Sequence, residues 1–179
     1  MPAPWQIYVG GSCPEHRAGW GLVVLAKLPG GRTVHAGCAY GLASGSNNSA
    51  ELTAAAYAGW AALLLPGHSD VSILYDNALI AGAIDASCEF TMNHQKAGLV
   101  ALIAAAARRG RKLSTYHVQG HSSNPWNELA DTLAEGRHTD LPECEVELPA
   151  IPMGYHARER GALPVAHPRP RPLPARSAQ

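Results

Sequence analysis

The chain has 179 residues, 46% of them apolar and 16% charged, with a formal net charge of zero. That length supports one ordinary core, and it excludes a globally basic nucleic-acid binder and, with no apolar run near ~18 residues, a membrane span. Four scattered cysteines (Cys13, Cys38, Cys88 and Cys144), none in a C-x-x-C pair, exclude a disulfide scaffold and zinc-ligand spacing, so a soluble intracellular protein is expected, cytoplasmic or nuclear.

In chain order, residues 5–9 read as a strand that stops at Gly10-Gly11. Residues 20–28 and 33–42 read as a hairpin around Pro29-Gly30-Gly31. Asn47-Asn48-Ser49 then leads into an Ala/Leu-rich helix over 50–65, stopped by Pro66-Gly67. A β-branched strand over 71–75 ends at Asp76, and residues 77–86 form a short helix. Residues 94–109 form a longer helix closing on Arg108-Arg109-Gly110. A strand over 112–118 and a helix over 125–136 complete the set. Antiparallel strands first and β-α-β alternation afterwards predict an α/β fold: a five-stranded mixed sheet with helices packed on it.

The folded unit is expected over residues 1–138. Residues 139–179 hold eight of the 14 prolines, starting at Pro142, and five arginines against one glutamate beyond Gly154. They read as a Pro/Arg-rich disordered tail, either a solvated linker or a weak electrostatic contact for nucleic acid.

Three carboxylates stand at element boundaries. Glu51 opens the first long helix, Asp76 ends the fourth strand and Asp131 lies in the last helix. Taken singly, each has a plain structural explanation: a first-turn charge, a helix cap and a solvated helical residue. If the first and fourth strands are parallel neighbours, their C-terminal ends converge, which is where open α/β sheets place their sites. Carboxylates gathered there repel one another unless a hard divalent cation compensates.

Four segments together resemble the motifs of type 1 ribonuclease H. They are Ile7-Tyr8-Val9-Gly10-Gly11-Ser12-Cys13, Asn47-Asn48-Ser49-Ala50-Glu51-Leu52, Tyr75-Asp76-Asn77, and Gly120-His121 through Asn127-Glu128-Leu129-Ala130-Asp131. The resemblance spans about residues 5–137. It implies the RNase H-like fold, with three antiparallel strands, then two parallel ones, and helices on both faces. It also implies cleavage of the RNA strand of RNA–DNA hybrids by two Mg²⁺ ions, with Mn²⁺ as substitute. Carried over by position, Glu51 and Asp76 would ligate one ion and Asp131 the other, and His121 would assist proton transfer or product departure. Gly11, Ser12, Cys13, Asn47, Asn48 and Asn127 match positions that contact the hybrid or support the site, reading 2′-hydroxyls and minor-groove shape.

The chain departs from that pattern at Gly10, where the family has a metal-bridging aspartate. Along the chain Glu15 is the nearest other carboxylate, and Val9 points to the opposite face. Loss of the bridging charge is expected to cost on the order of 10³-fold in rate or more. Two classes of function stay open: an impaired endonuclease, and a non-catalytic module that binds hybrid or structured RNA. An integrase-like relative fits Asn47-Asn48 and Gly120-His121 less well. The family's basic protrusion is also missing. Besides Lys96, the cations of that interval cluster at Arg108, Arg109, Arg111 and Lys112, read either as a helix-end cap or as a phosphate contact. Such a domain resembles those attached to reverse transcriptases, and the short lead before the first strand is read as fitting a retroelement polyprotein.

Overall fold

The computed structural model describes residues 4–120, 123–137, 140–146 and 148. The elements are β1 (Trp5–Ser12), β2 (Gly19–Lys27), β3 (Thr33–Leu42), α1 (Asn47–Leu64), β4 (Val71–Tyr75), α2 (Leu79–Ile84), α3 (His94–Arg108), β5 (Leu113–His117) and α4 (Pro125–Ala134). The strands lie in the order β3-β2-β1-β4-β5. β1–β2 and β2–β3 are antiparallel, while β1–β4 and β4–β5 are parallel. This is the mixed sheet expected from the sequence.

Side-chain alternation divides the core between two faces. On one face Trp5, Ile7, Val9, Leu22 and Val24 pack beneath α1, whose Ala54, Ala55, Ala58, Ala61 and Ala62 are all buried. Small residues along that helix let it lie close to the sheet, with α3 packed against α1. On the other face Tyr8, Val23, Leu25, Cys38, Tyr40 and Leu74 meet Ala130 and Leu133 of α4. Burial on both faces explains why β2 reads as an unbroken apolar run.

Three of the differences from the boundaries read in the sequence bear on the site or the sheet edge. β1 does not stop at Gly10-Gly11 but runs to Ser12, because β2 pairs with it throughout (Gly10↔Gly21, Gly11↔Trp20, Ser12↔Gly19). Glycines inside a strand mark a close approach by another element as often as a turn, and here helices approach from both faces. α1 begins at Asn47, capped by Ser46, whose hydroxyl accepts from the Ser49 N–H at 3.4 Å. Asn47 and Asn48 are therefore its first turn rather than its lead-in. Finally, residues 140–146 and Leu148, assigned to the tail from composition, lie against the sheet. Leu141 packs on the α4 face and Leu148 is buried on the α1 face. Between them the Glu145 N–H donates to the His35 carbonyl at 2.8 Å, and Arg32 pairs with Glu145 at 2.6 Å. The segment thus covers the outer edge of β3, a strand edge that would otherwise be open. The remainder of the predicted tail lies outside the described residues. Among those described, no helix is long and apolar enough to cross a membrane.

Candidate metal centre

Parallel pairing of β1 with β4 (Tyr8↔Leu74) sets their C-terminal ends side by side, with Asp76 following directly after β4. α1 reaches the end of β1 because residue 11 has no side chain. A Cβ there would overlap the backbone nitrogen of Glu51, so only glycine permits the contact. The Gly11 N–H then faces the Glu51 carboxylate and favours its charged form. On the opposite face α4 crosses β1 over Gly10. The point where a Cβ on Gly10 would stand is 2.5 Å from Asp131 Oδ1, and 3.2 Å from both Ala130 C and Asp131 N. The space of the missing side chain is therefore already taken by Asp131. The outcome is one cleft of about 480 Å³ whose walls include Glu51, Asp76 and Asp131, together with Gly11, Ser12, Asn47, Asn77 and Glu135.

Glu51 is buried, and its Oε2 has no hydrogen-bond partner. Burial pushes its carboxyl from the ordinary 4.5 up to about 8, and the charges of Asp76 and Asp131 add to the rise against the Gly11 N–H. A carboxylate this costly to ionise is what a nearby cation would stabilise. Asp76 accepts from Asn127 Nδ2 at 3.4 Å. Asn127 is held in turn by α4, whose first turn is capped by Asn124 Oδ1 accepting from the Trp126 and Asn127 N–H groups at 3.1 and 3.3 Å. Gly120 closes from above, its would-be Cβ 3.1 Å from Asp76 Oδ2. Among the described residues, no three Asp, Glu, His or Cys side chains stand close enough to enclose an ion as they are. The carboxylates share a cleft and remain apart.

Of the residues singled out from sequence, Glu51, Asp76 and Asp131 are brought together, with Gly11, Ser12 and Asn47 beside them. Cys13 lies next to the cleft, its Sγ 3.5 Å from the Gly45 carbonyl. Asn48 is exposed on the first turn of α1 and does not line the cleft. Asn127, at 1% exposure, turns its amide to Asp76, the geometry of the supporting role that was one of the two read for it. His121 lies outside the described residues. Glu15 sits in a short 3-10 turn (Pro14–His16) and does not line the cleft. Glu135 does, and the sequence reading missed it. Its signal was the four-residue spacing from Asp131, which places both on one helix face.

Two of the cations at the end of α3, Arg108 and Arg111, are tied to the protein itself. Arg108 donates to the Ile84 carbonyl at 3.0 Å and pairs with Asp85, and Arg111 donates to the carbonyls of Leu65 and Gly67 at 2.6 and 2.7 Å. Arg111 precedes β5, at the end of the sheet opposite the cleft.

The RNase H family profile matches residues 2–138. No characterised protein matches the chain by sequence alone. Among solved structures, RNase H1 from the halophilic archaeon Halobacterium salinarum NRC-1 superposes with a TM-score of 0.57 at 22% identity, covering 75% of this chain and 96% of that one. LC9-RNase H1, described as a type 1 RNase H with the type 2 active-site motif, gives 0.58 at 21% identity over 95% and 98%. The Prototype Foamy Virus protease–reverse transcriptase gives 0.59 at 19% identity, covering 77% of this chain and 21% of that chain. At these identities the likeness is one of fold.

Proposed function

The chain belongs to the RNase H family, and from that premise we propose that it is a type 1 ribonuclease H domain that cleaves the RNA strand of RNA–DNA hybrids, slowed by Gly10. One observation carries the reading: the buried, unpartnered Oε2 of Glu51, in a cleft it shares with Asp76 and Asp131. Such an arrangement is unfavourable unless a divalent cation joins it. Glu51 and Asp76 would hold one Mg²⁺ and Asp131 a second, with Mn²⁺ as substitute. Bound there, such ions supply activation of a water and stabilisation of the leaving oxygen. The chain's own groups prepare the site. The Gly11 N–H favours the charged form of Glu51, the Asn127 amide fixes Asp76, and Ser12 and Asn47 offer polar groups at the rim for 2′-hydroxyls and phosphates. His121 would serve proton transfer or product release.

Hybrid affinity would be low in isolation, because Arg108 and Arg111 are engaged in holding loops. Attachment to a reverse transcriptase domain would supply the missing grip, as part of a larger retroelement polyprotein. One observation favours the second reading, a non-catalytic hybrid-binding module: Asp131 already fills the space over Gly10.

Labelled hybrid incubated with Mg²⁺ or Mn²⁺ separates the two. Slow cleavage that Gly10→Asp raises by about 10²-fold or more supports the impaired enzyme. Hybrid binding with no cleavage by either protein supports the binding module. Cleavage unchanged by Asp76→Asn would overturn the site itself.

A further inference from the structure

We propose that Glu135 is a metal-ligating carboxylate of this site, restoring the fourth negative charge that Gly10 removes. This rests on the metal-dependent reading above and adds a ligand to it.

The cleft holds four carboxylates, not three, for Glu135 lies in its wall with Glu51, Asp76 and Asp131. Glu135 follows Asp131 by four residues, so it projects from the same face of α4 one turn further on. α4 rests directly on Gly10, and Asp131 Oδ1 stands within 2.5 Å of where a side chain on residue 10 would begin. With no side chain on residue 10, the Asp131 carboxylate lies over the end of β1. Glu135, one turn on, adds a carboxylate to the same wall.

The position of Glu135 needs a reason, because it is the C-terminal cap of α4. The negative pole of a helix disfavours an acidic side chain there. Its present partner is Arg137, two residues along and 76% exposed. An exposed pair of that kind is weak and screened by salt, so the carboxylate can turn to a cation. A ligand is independently indicated by Glu51, whose Oε2 is buried, unpartnered and part of the same wall.

The test is direct Mn²⁺ binding to the full chain, read as loss of free-ion EPR signal, with thermal melts confirming that each variant folds. Glu135→Gln is expected to weaken Mn²⁺ binding about tenfold. Glu128→Gln removes the same charge from an exposed position of α4 and is expected to change nothing. Arg137→Ala, which frees Glu135, is expected to leave affinity equal or tighter. In a Gly10→Asp background the effect of Glu135→Gln is expected to shrink to about twofold. Wild-type binding that Glu135→Gln leaves unaltered would overturn the inference while the metal-dependent reading stands. Mn²⁺ binding only after Gly10→Asp would also overturn it, as Glu135 would then not compensate. No Mn²⁺ binding by either protein would defeat both.

Discussion

At the end of the sheet where β4 and β5 begin, charged groups are tied to the protein itself. Arg111 donates to two carbonyls of the loop after α1, and Arg108 joins Ile84 and Asp85. At the end where β1 and β4 finish, like charges face one another across a cleft, and a buried carboxylate oxygen has no donor. The first arrangement holds a fold together. The second costs stability and is explained by what it could bind. The same sheet thus separates cations that serve structure from carboxylates that serve chemistry, and substitutions at the two ends should have opposite signatures.

The largest effect is expected at the carboxylate end. Asp76→Asn should lower hybrid cleavage by about 10³-fold or more in a single-turnover assay, with little change in melting temperature. An equal loss of stability and activity would erase the distinction between the two ends.

The pH dependence of stability sharpens the comparison. Glu51 has its folded pKa raised from 4.5 to about 8, so between those values the folded state holds a proton that the unfolded state has released. Its contribution is fully present below about pH 4.5 and is lost as pH rises to about 8. Ion-free wild type should therefore lose roughly 2–4 kcal/mol across that window relative to Glu51→Gln, measured by urea unfolding in a chelator. His35 runs the other way, since burial lowers its pKa and stability from that source rises through about pH 6.5. The difference between wild type and Glu51→Gln isolates the carboxylate. Mg²⁺ should raise the wild-type melting temperature more at pH 8 than at pH 5, and an identical rise at both would count against a cation at Glu51.

Asn127→Ala should come next. Loss of the amide that holds Asp76 is expected to lower cleavage about tenfold, within the range for groups behind a metal ligand. The smallest effect on activity belongs to the opposite end: Arg111→Ala should cost about 1–2 kcal/mol in unfolding and leave the cleavage rate per folded molecule unchanged. A fall in hybrid affinity instead would make Arg111 a phosphate contact.

Much of this was legible in the sequence. The strand 33–42 and the strand 71–75 have the bounds read from apolar content and turn residues. Glu51, Asp76 and Asp131 reach one cleft because their motifs sit at the ends of adjacent parallel strands and on the helices that cross them. What escaped depends on tertiary contact. The glycine pair ends no strand, because β2 pairs through it and helices press on it from both sides. Residues 140–146 and Leu148 look like tail by composition, yet cover the β3 edge through one backbone hydrogen bond and two leucines. Glu135 matches no motif, and only its place on α4 reveals it. Arg108 and Arg111 could be assigned to structure only once their carbonyl partners were seen.

The central claim is best tested by anomalous diffraction from a crystal soaked in Mn²⁺. The account predicts density for at least one ion bounded by Glu51, Asp76 and Asp131, beside Gly10. A fully soaked crystal with no peak in that cleft, or with Mn²⁺ bound only at unrelated carboxylates, would contradict it.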